Sequence, residues 1–476
     1  MKVPTTTRFS FRLSNKNHEW PQISVIIIVS LGSLTAAVLF AWPSPSIPQL
    51  IFNGSETVNI SLEEASYFAV IPPLGSLLAS PLVAILMDSI GRKKTILFMS
   101  VSHIIAWLLI FFSKCLWVFY VSRIFSGISD AVLFGVIPAY IGEITASHVR
   151  GTWGNLNTIF LYIGQFLINV VGAYFSVKTT ALFFFIFPIT HIILFTFAPE
   201  SPYYLLVNNK NKEAEESLKL LRWNNNVQEE LDLITKAVQR QISESSTLKD
   251  LIIIPTNRKA LFISIGLRMS QILSGLPAFA VYTQYIFSLS AANLPASTCA
   301  IVYTGLFFLM SSTCSFFVDK LSRKWLMIFS SFGCTIALLI ESMYFYFILQ
   351  TNVHLTSYNW IPLAGMSLYI IMFSLGLGIL PNLLLSELFS ASIKGKATSV
   401  VNIIFFLCII IVPKLFQLLS SNFGMYVPFF VFFCCTCCST LFSYYFVPET
   451  KGKTLEEIQQ MLTKKNKIHV AQNSTN

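Results

Sequence analysis

The sequence predicts an all-α integral membrane protein, with twelve spanning helices in two six-helix halves of parallel topology. Three observations carry that expectation. Of 476 residues, 54% are hydrophobic and only 11% charged, where a soluble domain carries about a quarter charged. Apolar windows long enough to cross a bilayer recur along the chain. Three short polar motifs also appear twice, at nearly one separation. The first observation excludes a soluble enzyme, a disordered scaffold and a nucleic-acid binder. The net charge of +10 belongs to loops on one side of the membrane, as their distribution shows.

Crossing the hydrocarbon core takes about 20 mostly apolar residues as a helix. The windows are 23–42, 66–87, 95–113, 117–141, 153–176 and 181–198, then 260–288, 297–318, 325–349, 360–386, 397–420 and 425–447. The first is too long for a signal-peptide core, and Trp42, Pro43 and Pro45 stand where small cleavage-site residues belong. Connections from odd to even windows hold only Lys114 and Lys178 as basic residues. The amino tail holds Lys2, Arg8, Arg12 and Lys16, and residues 199–259 hold nine more. Both termini are therefore expected in the cytoplasm. Asn53-Gly-Ser and Asn59-Ile-Ser fall in the first outside loop as glycosylation sequons, whereas Asn473-Ser-Thr falls in a cytoplasmic tail.

The resulting organisation is a tail (1–22), a six-helix half (23–199), a linker (200–259), a second half (260–447) and a tail (448–476). In the linker, Leu218, Leu220, Leu221, Leu231, Leu233 and Ile234 recur among Lys and Glu, which predicts short amphipathic helices against the cytoplasmic face. The halves repeat one another. Asp88-Ser-Ile-Gly-Arg-Lys-Lys94 is mirrored by Asp319-Lys-Leu-Ser-Arg-Lys-Trp325, Glu143 with Arg150-Gly151 by Glu387 with Lys394-Gly395, and Pro199-Glu200-Ser201 by Pro448-Glu449-Thr450. The offsets are 231, 244 and 249 residues, each crossing an even number of windows. Such parallel repeats are the arrangement of major facilitator transporters, which bind substrate at the midplane between halves.

With these motifs in view, the chain resembles the sugar porter family of the major facilitator superfamily, and most of all the insect facilitated trehalose transporters. The resemblance rests on Arg123-Ile-Phe-Ser-Gly127, Pro138-Ala-Tyr-Ile-Gly-Glu143, Arg150-Gly151, Pro199-Glu-Ser-Pro-Tyr-Tyr-Leu206, Gln271-Ile-Leu-Ser-Gly275 and Val447-Pro-Glu-Thr-Lys-Gly-Lys-Thr-Leu455. Gly127-Ile-Ser-Asp130 and Val412-Pro-Lys-Leu-Phe416 add the insect-like character. The resemblance implies transport of a neutral sugar by alternating access.

Ten charged residues form a mirrored set at the cytoplasmic rim: Asp88, Arg92, Glu143, Arg150 and Glu200 in one half, Asp319, Arg323, Glu387, Lys394 and Glu449 in the other. Interfacial charge also sets topology, but a mirrored set points to a gate whose ion pairs hold segment ends together in one state. Ser322 takes the place of a motif glycine and Lys394 that of an arginine, so a weaker latch is expected in the second half.

A sugar site needs uncharged amides, hydroxyls and aromatic walls. Gln271 is the leading candidate, because an unpaired amide facing lipid is costly; the alternative is a helix–helix hydrogen bond. By resemblance Gln271 contacts the sugar and Tyr282 helps close the outer gate, while Thr158, Leu161, Phe373, Ser374 and Asn382 occupy cavity positions. Pro277 and Phe307 stand where relatives have amides, and Phe405 and Phe406 replace an Asn-Trp pair, so an altered specificity is expected. Asp130, Glu341 and Lys414 are charges inside spanning windows and by default candidates for function; for Asp130 the readings are a proton carrier or, favoured by its place in the insect-like motif, a helix-packing role, and Glu341 and Lys414 are unassigned. No acidic residue lies between Glu19 and Glu56, where proton-coupled relatives keep an aspartate, which favours uniport. Cys434, Cys435, Cys437 and Cys438 read as packing residues. No nucleotide, metal or hydrolase motif appears, so neither catalysis nor a cofactor is expected, and the expected partners are a small neutral sugar and the lipid bilayer.

Overall fold

A computed structural model describes residues 18–52, 60–243, 248–290, 294–318, 321–351, 358–389, 391–453 and 457–461. Among them, twelve helices are long and apolar enough to cross a membrane: Trp20–Ile51, Leu62–Ser89, Arg92–Phe111, Leu116–Ile144, Leu156–Tyr174, Val177–Phe195, Pro255–Leu289, Ala296–Ser315, Arg323–Gln350, Ile361–Leu388, Ile393–Phe423 and Tyr426–Phe446. They are called the first to twelfth spans below. Their outer faces show the side chains that lipid requires; on the second span Leu78, Leu82 and Ile85 are 73%, 59% and 65% exposed. Asp319, Asn53 and Asn59 lie outside the described residues.

Several spans are longer than the apolar windows predict, and the extra length is informative. The first span does not end at Trp42. It bends there and continues as Pro43–Phe52, because a proline at the first position of a helix lacks only an N–H that has no partner anyway. The seventh span is likewise two pieces, Pro255–Leu273 and Leu276–Leu289. They meet at Gly275, whose φ of +96° only glycine adopts cheaply. The tenth breaks between Ile361–Leu375 and Leu380–Leu388. Interrupted helices at corresponding places in two repeats mark where a carrier binds its substrate.

The apolar core is distributed unequally between the two faces. The face carrying the linker is termed the linker side, the other the far side. One apolar cluster unites the halves through far-side residues, placing Trp42, Phe68 and Phe119 with Tyr282, Phe416 and Phe429, and runs on through the second half to Leu388 and Val447 at its linker-side end. Pro43–Phe52 of the first span packs there against Leu276–Leu289 of the seventh. Toward the linker side the first half has its own cluster, from Val25 and Ile26 to Ile144 and Leu221, and the described members all belong to that half and the linker. Among the described residues, apolar packing therefore closes the halves together on the far side and does not join them on the linker side.

The linker folds as helices Pro202–Val207, Asn211–Arg222, Gln228–Ser243 and Asp250–Ile253. Leu218 and Leu231 are buried with Tyr204, Leu205 and Ala214, and Leu221 is buried in the linker-side cluster of the first half. Leu220 and Leu233 are not part of that face; they are 46% and 66% exposed, because each sits about 100° or 200° from its buried neighbours at 3.6 residues per turn. Arg222 ties the linker to the first half, donating to the carbonyl of Ile144 at 3.0 Å and pairing with Glu230 at 2.6 Å.

Candidate transport site

At the linker-side rim of the first half, Arg92 meets Glu143 through two prongs, Nε to Oε2 and Nη2 to Oε1, each 3.1 Å. Its Nη1 reaches Asp88 at 3.4 Å and the carbonyl of Met87 at 3.1 Å. Glu143 also accepts a short hydrogen bond from the Ser201 hydroxyl. Glu200 accepts from the backbone N–H of Lys93 at 3.1 Å and of Ser201 at 2.9 Å. It thus caps the amino end of the third span, where the helix dipole favours negative charge. Gly91 makes room for that cap, since a Cβ there would collide with the Glu200 carboxylate.

The second half repeats the design with different chemistry. Arg323 meets Glu387 through one prong at 3.5 Å, and Thr450 donates to the other Glu387 oxygen at 2.5 Å. Glu449 caps the ninth span, accepting from the N–H groups of Arg323 at 3.1 Å and Lys324 at 3.3 Å. It also accepts from Lys451 N–H at 3.0 Å and from the Ser322 hydroxyl. Burial raises the Glu449 carboxyl, but the Ser322 bond and the three N–H donors outweigh it and hold the group below its usual value. Ser322 therefore adds a donor that the glycine of the first half lacks. Arg150 and Lys394 stand apart from these carboxylates. Arg150 donates to the carbonyl of Thr145 at 3.4 Å.

Deeper in the membrane, Gln271 stands one turn before the break of the seventh span. Its Oε1 accepts from Arg268 Nη1 at 2.7 Å, and its Nε2 donates to the carbonyl of Gly378 at 3.0 Å, where the tenth span is broken. The helix–helix bond weighed for Gln271 thus exists, and both ends of the amide are engaged. Tyr282 is buried at the kink of the seventh span and stacks on Phe416, 5.3 Å between centroids at 18°. Phe373 packs face to face with Tyr369 at 5.8 Å, and Ser374 shares a 3.1 Å hydrogen bond with Ser311. Thr158 and Asn382 are exposed, and Leu161 is half-buried against the linker-side core of the first half.

Side chains of the two halves also meet directly. Tyr162 of the fifth span lies 4.3 Å from Phe307 of the eighth. Phe134 of the fourth lies 5.6 and 5.8 Å from Phe405 and Phe406 of the eleventh. Lys414 of the eleventh donates from Nζ to Ser66 Oγ at 2.9 Å and sits 4.5 Å over the Tyr67 ring of the second span. Arg123 is fully buried; Nη1 donates to the carbonyl of Leu39 at 2.7 Å, and the guanidinium lies 4.6 Å over Trp42. Glu341 is fully buried against Gly365 of the tenth span.

Sequence reasoning passed over Arg268, although it is the only charged residue in 260–288. It also passed over Ser33 and Asn157, which share a short hydrogen bond between the first and fifth spans. The buried histidines were missed too: His103 bonds Thr35 at 2.9 Å and His191 bonds Ser100 at 2.6 Å within the first half.

Two repeats of six spans, broken helices facing the seam and charged caps at one rim define a membrane carrier of the rocking type. A family model described as sugar (and other) transporter matches residues 15–462. The facilitated trehalose transporter Tret1 of Bombyx mori is 31% identical, covering 93% of this chain and 87% of that one. Tret1 of Polypedilum vanderplanki is 31% identical over 94% of this chain and 89% of its own. The chain belongs to the sugar transporter family. Among solved structures, the proton:xylose symporter XylE bound to 6-bromo-6-deoxy-D-glucose shares the fold at a TM-score of 0.74 and 21% identity, covering 94% of this chain and 100% of that one. The inward open form of XylE from E. coli has a TM-score of 0.74 at 20% identity, covering 92% of this chain and 99% of that one.

Proposed function

We propose that the chain carries a neutral sugar, trehalose or a hexose, across the plasma membrane by facilitative uniport through alternating access. The observation that carries the reading is Gln271, held beside the breaks of the seventh and tenth spans by Arg268 and the Gly378 carbonyl. Tyr282, Thr158, Leu161, Phe373, Ser374 and Asn382 complete the sugar site in this reading. The relatives named above, whose titles specify facilitated trehalose transport, support the substrate class.

The distribution of Lys and Arg makes the linker side cytoplasmic, with 1–22 and 448–476 as cytoplasmic tails and 200–259 as a linker between halves 23–199 and 260–447. The far-side-closed arrangement is then the inward-open state. In this reading the charges Asp88, Arg92, Glu143, Arg150 and Glu200, with Asp319, Arg323, Glu387, Lys394 and Glu449, serve as the cytoplasmic gate. Asn53 and Asn59 carry glycans outside.

A second reading, proton-coupled transport, is favoured by one observation: Asp130 is a buried acid in the fourth span, seven residues beyond Arg123. Uptake of labelled trehalose, hexoses and polyols into oocytes, with and without an imposed proton gradient, separates the readings. Uniport predicts equilibration unaffected in extent by the gradient. Accumulation above equilibrium that Asp130→Asn abolishes, with exchange intact, establishes symport instead, and uptake of no solute leaves a non-transporting sensor.

A further inference from the structure

Arg268 is the least expected group near the midplane. It lies three residues before Gln271, one helical turn away on the same face. It is 7% exposed, its Nη1 donates to Gln271, and its buried Nε has no hydrogen-bond partner. The guanidinium sits 4.4 Å over the ring of Phe405. That ring in turn touches Phe134 of the other half, 5.6 Å away, so Arg268 is one aromatic ring from the seam along which the halves separate.

Among the described residues this cation has no counter-ion. The ion pairs described for other arginines hold Arg92 to Asp88 and Glu143, Arg222 to Glu230, and Arg323 to Glu387. None of the described ion pairs includes Arg268. Of the acids deep in the spans, Asp130 lies on the fourth span seven residues beyond Arg123 and Glu341 is fully buried against Gly365; neither is joined to Arg268 by a described ion pair. An arginine stays charged under all ordinary conditions, and a charge at membrane depth without a partner is costly and marks function by default. The ring of Phe405 and the Gln271 amide solvate it without neutralising it. The Nε side of a guanidinium is also an edge on which a carboxylate forms two parallel bonds, and here the buried Nε of that edge is unpartnered.

We propose that Arg268 is a specificity-determining residue that gives the carrier a preference for sugars bearing a carboxylate, such as uronic acids. This rests on the proposed sugar site at Gln271 and extends its substrate class from neutral sugars to acidic ones. The carboxylate neutralises Arg268, and the hydroxyls of the same molecule meet the neighbouring amide.

The test uses the full chain reconstituted in liposomes and asks how glucuronate and glucuronamide, its uncharged isostere, compete with labelled glucose or trehalose. The unmodified protein is expected to be inhibited by glucuronate at a concentration about tenfold or more below that required for glucuronamide. In Arg268→Gln the ratio of the two inhibitory concentrations is expected to fall to about one, and Arg268→Lys should keep an intermediate ratio because it retains charge but not the fork. Equal or weaker inhibition by glucuronate in the unmodified protein overturns the proposal while leaving neutral-sugar transport intact. A ratio unchanged in Arg268→Gln overturns the assignment to this residue. If no neutral sugar enters at all, the sugar-site reading fails and this inference falls with it.

Discussion

Replacing Lys414 with Met tests how the far side is held shut. Lys414 is half-buried in the eleventh span, and its Nζ reaches Ser66 Oγ of the other half at 2.9 Å with the Tyr67 ring at 4.5 Å. A hydrogen bond from a charged donor contributes about 1.5–3 kcal/mol, with partial exposure placing this one near the lower end. The cation–π contact adds about 0.5–1 kcal/mol. Methionine keeps the length and apolar stem, and Ser66 is not orphaned, because its hydroxyl also donates to the Glu63 carbonyl at 2.6 Å. The loss therefore falls on the far-side-closed state alone, by about 2 kcal/mol, or roughly thirtyfold in the balance between states. A cysteine placed at Ala278, buried in the far-side piece of the seventh span, reports the opening. In a Cys115→Ser background its reaction with a membrane-impermeant maleimide should accelerate about tenfold or more in Lys414→Met, and by less in Ser66→Ala. An unchanged labelling rate in Lys414→Met would refute a latch at this contact.

Three further outcomes are expected. Gln271→Leu removes one bond to a charged donor and one to a backbone carbonyl, about 2–4 kcal/mol in sum; the thermal midpoint of the purified protein should fall, and sugar affinity should weaken by about tenfold or more, whereas parent-like binding would place the site elsewhere. Glu449, held below its usual value by Ser322 and three N–H groups, stabilises the fold above the unfolded carboxylate range, and this contribution is lost as pH falls through the lowered folded value. Thermal stability in detergent should accordingly drop between about pH 5 and pH 3, with a shallower drop in Glu449→Gln; identical profiles would remove Glu449 from the acid response. Enzymatic deglycosylation of protein made in insect cells should raise gel mobility, an effect abolished by changing Asn53 and Asn59 together to Gln and unaffected by Asn473→Gln; dependence on Asn473 would invert the topology.

The spans were legible because a bilayer permits so few backbones. Each crossing must satisfy its own N–H and C=O groups, so an apolar window of sufficient length can only be a helix. The mirrored rim was legible for a related reason, since charges at span ends survive as short motifs. The breaks were harder. The apolar window stops before Pro43, yet in the structure Pro43 opens the next helical piece, which is held by packing on the seventh span and by hydrogen bonds from Ser44 and Gln49 to the fifth. The amphipathic linker was read with too wide an apolar face, because Leu220 and Leu233 are apolar without being inward.

At the midplane, residue type was legible but partnership was not. Gln271 was conspicuous as an amide, but its bond to Gly378 spans 107 residues and depends on the tenth span being broken there. Arg268 shows the opposite case, a charge plainly visible in an apolar window whose meaning comes only from its unpartnered Nε and the ring beneath it. Lys414 likewise acquired a role only when Ser66, 348 residues away, was found against it.

Counterflow in liposomes containing only this protein tests alternating access of a sugar most directly. Vesicles loaded with unlabelled trehalose or hexose are diluted into a trace of the labelled sugar. A carrier that exposes one site to each side in turn should draw label inward transiently above its external concentration, then release it as the internal sugar runs down. Label that never exceeds the external concentration, or that enters no faster than into protein-free vesicles, would contradict carrier-type sugar transport by this chain.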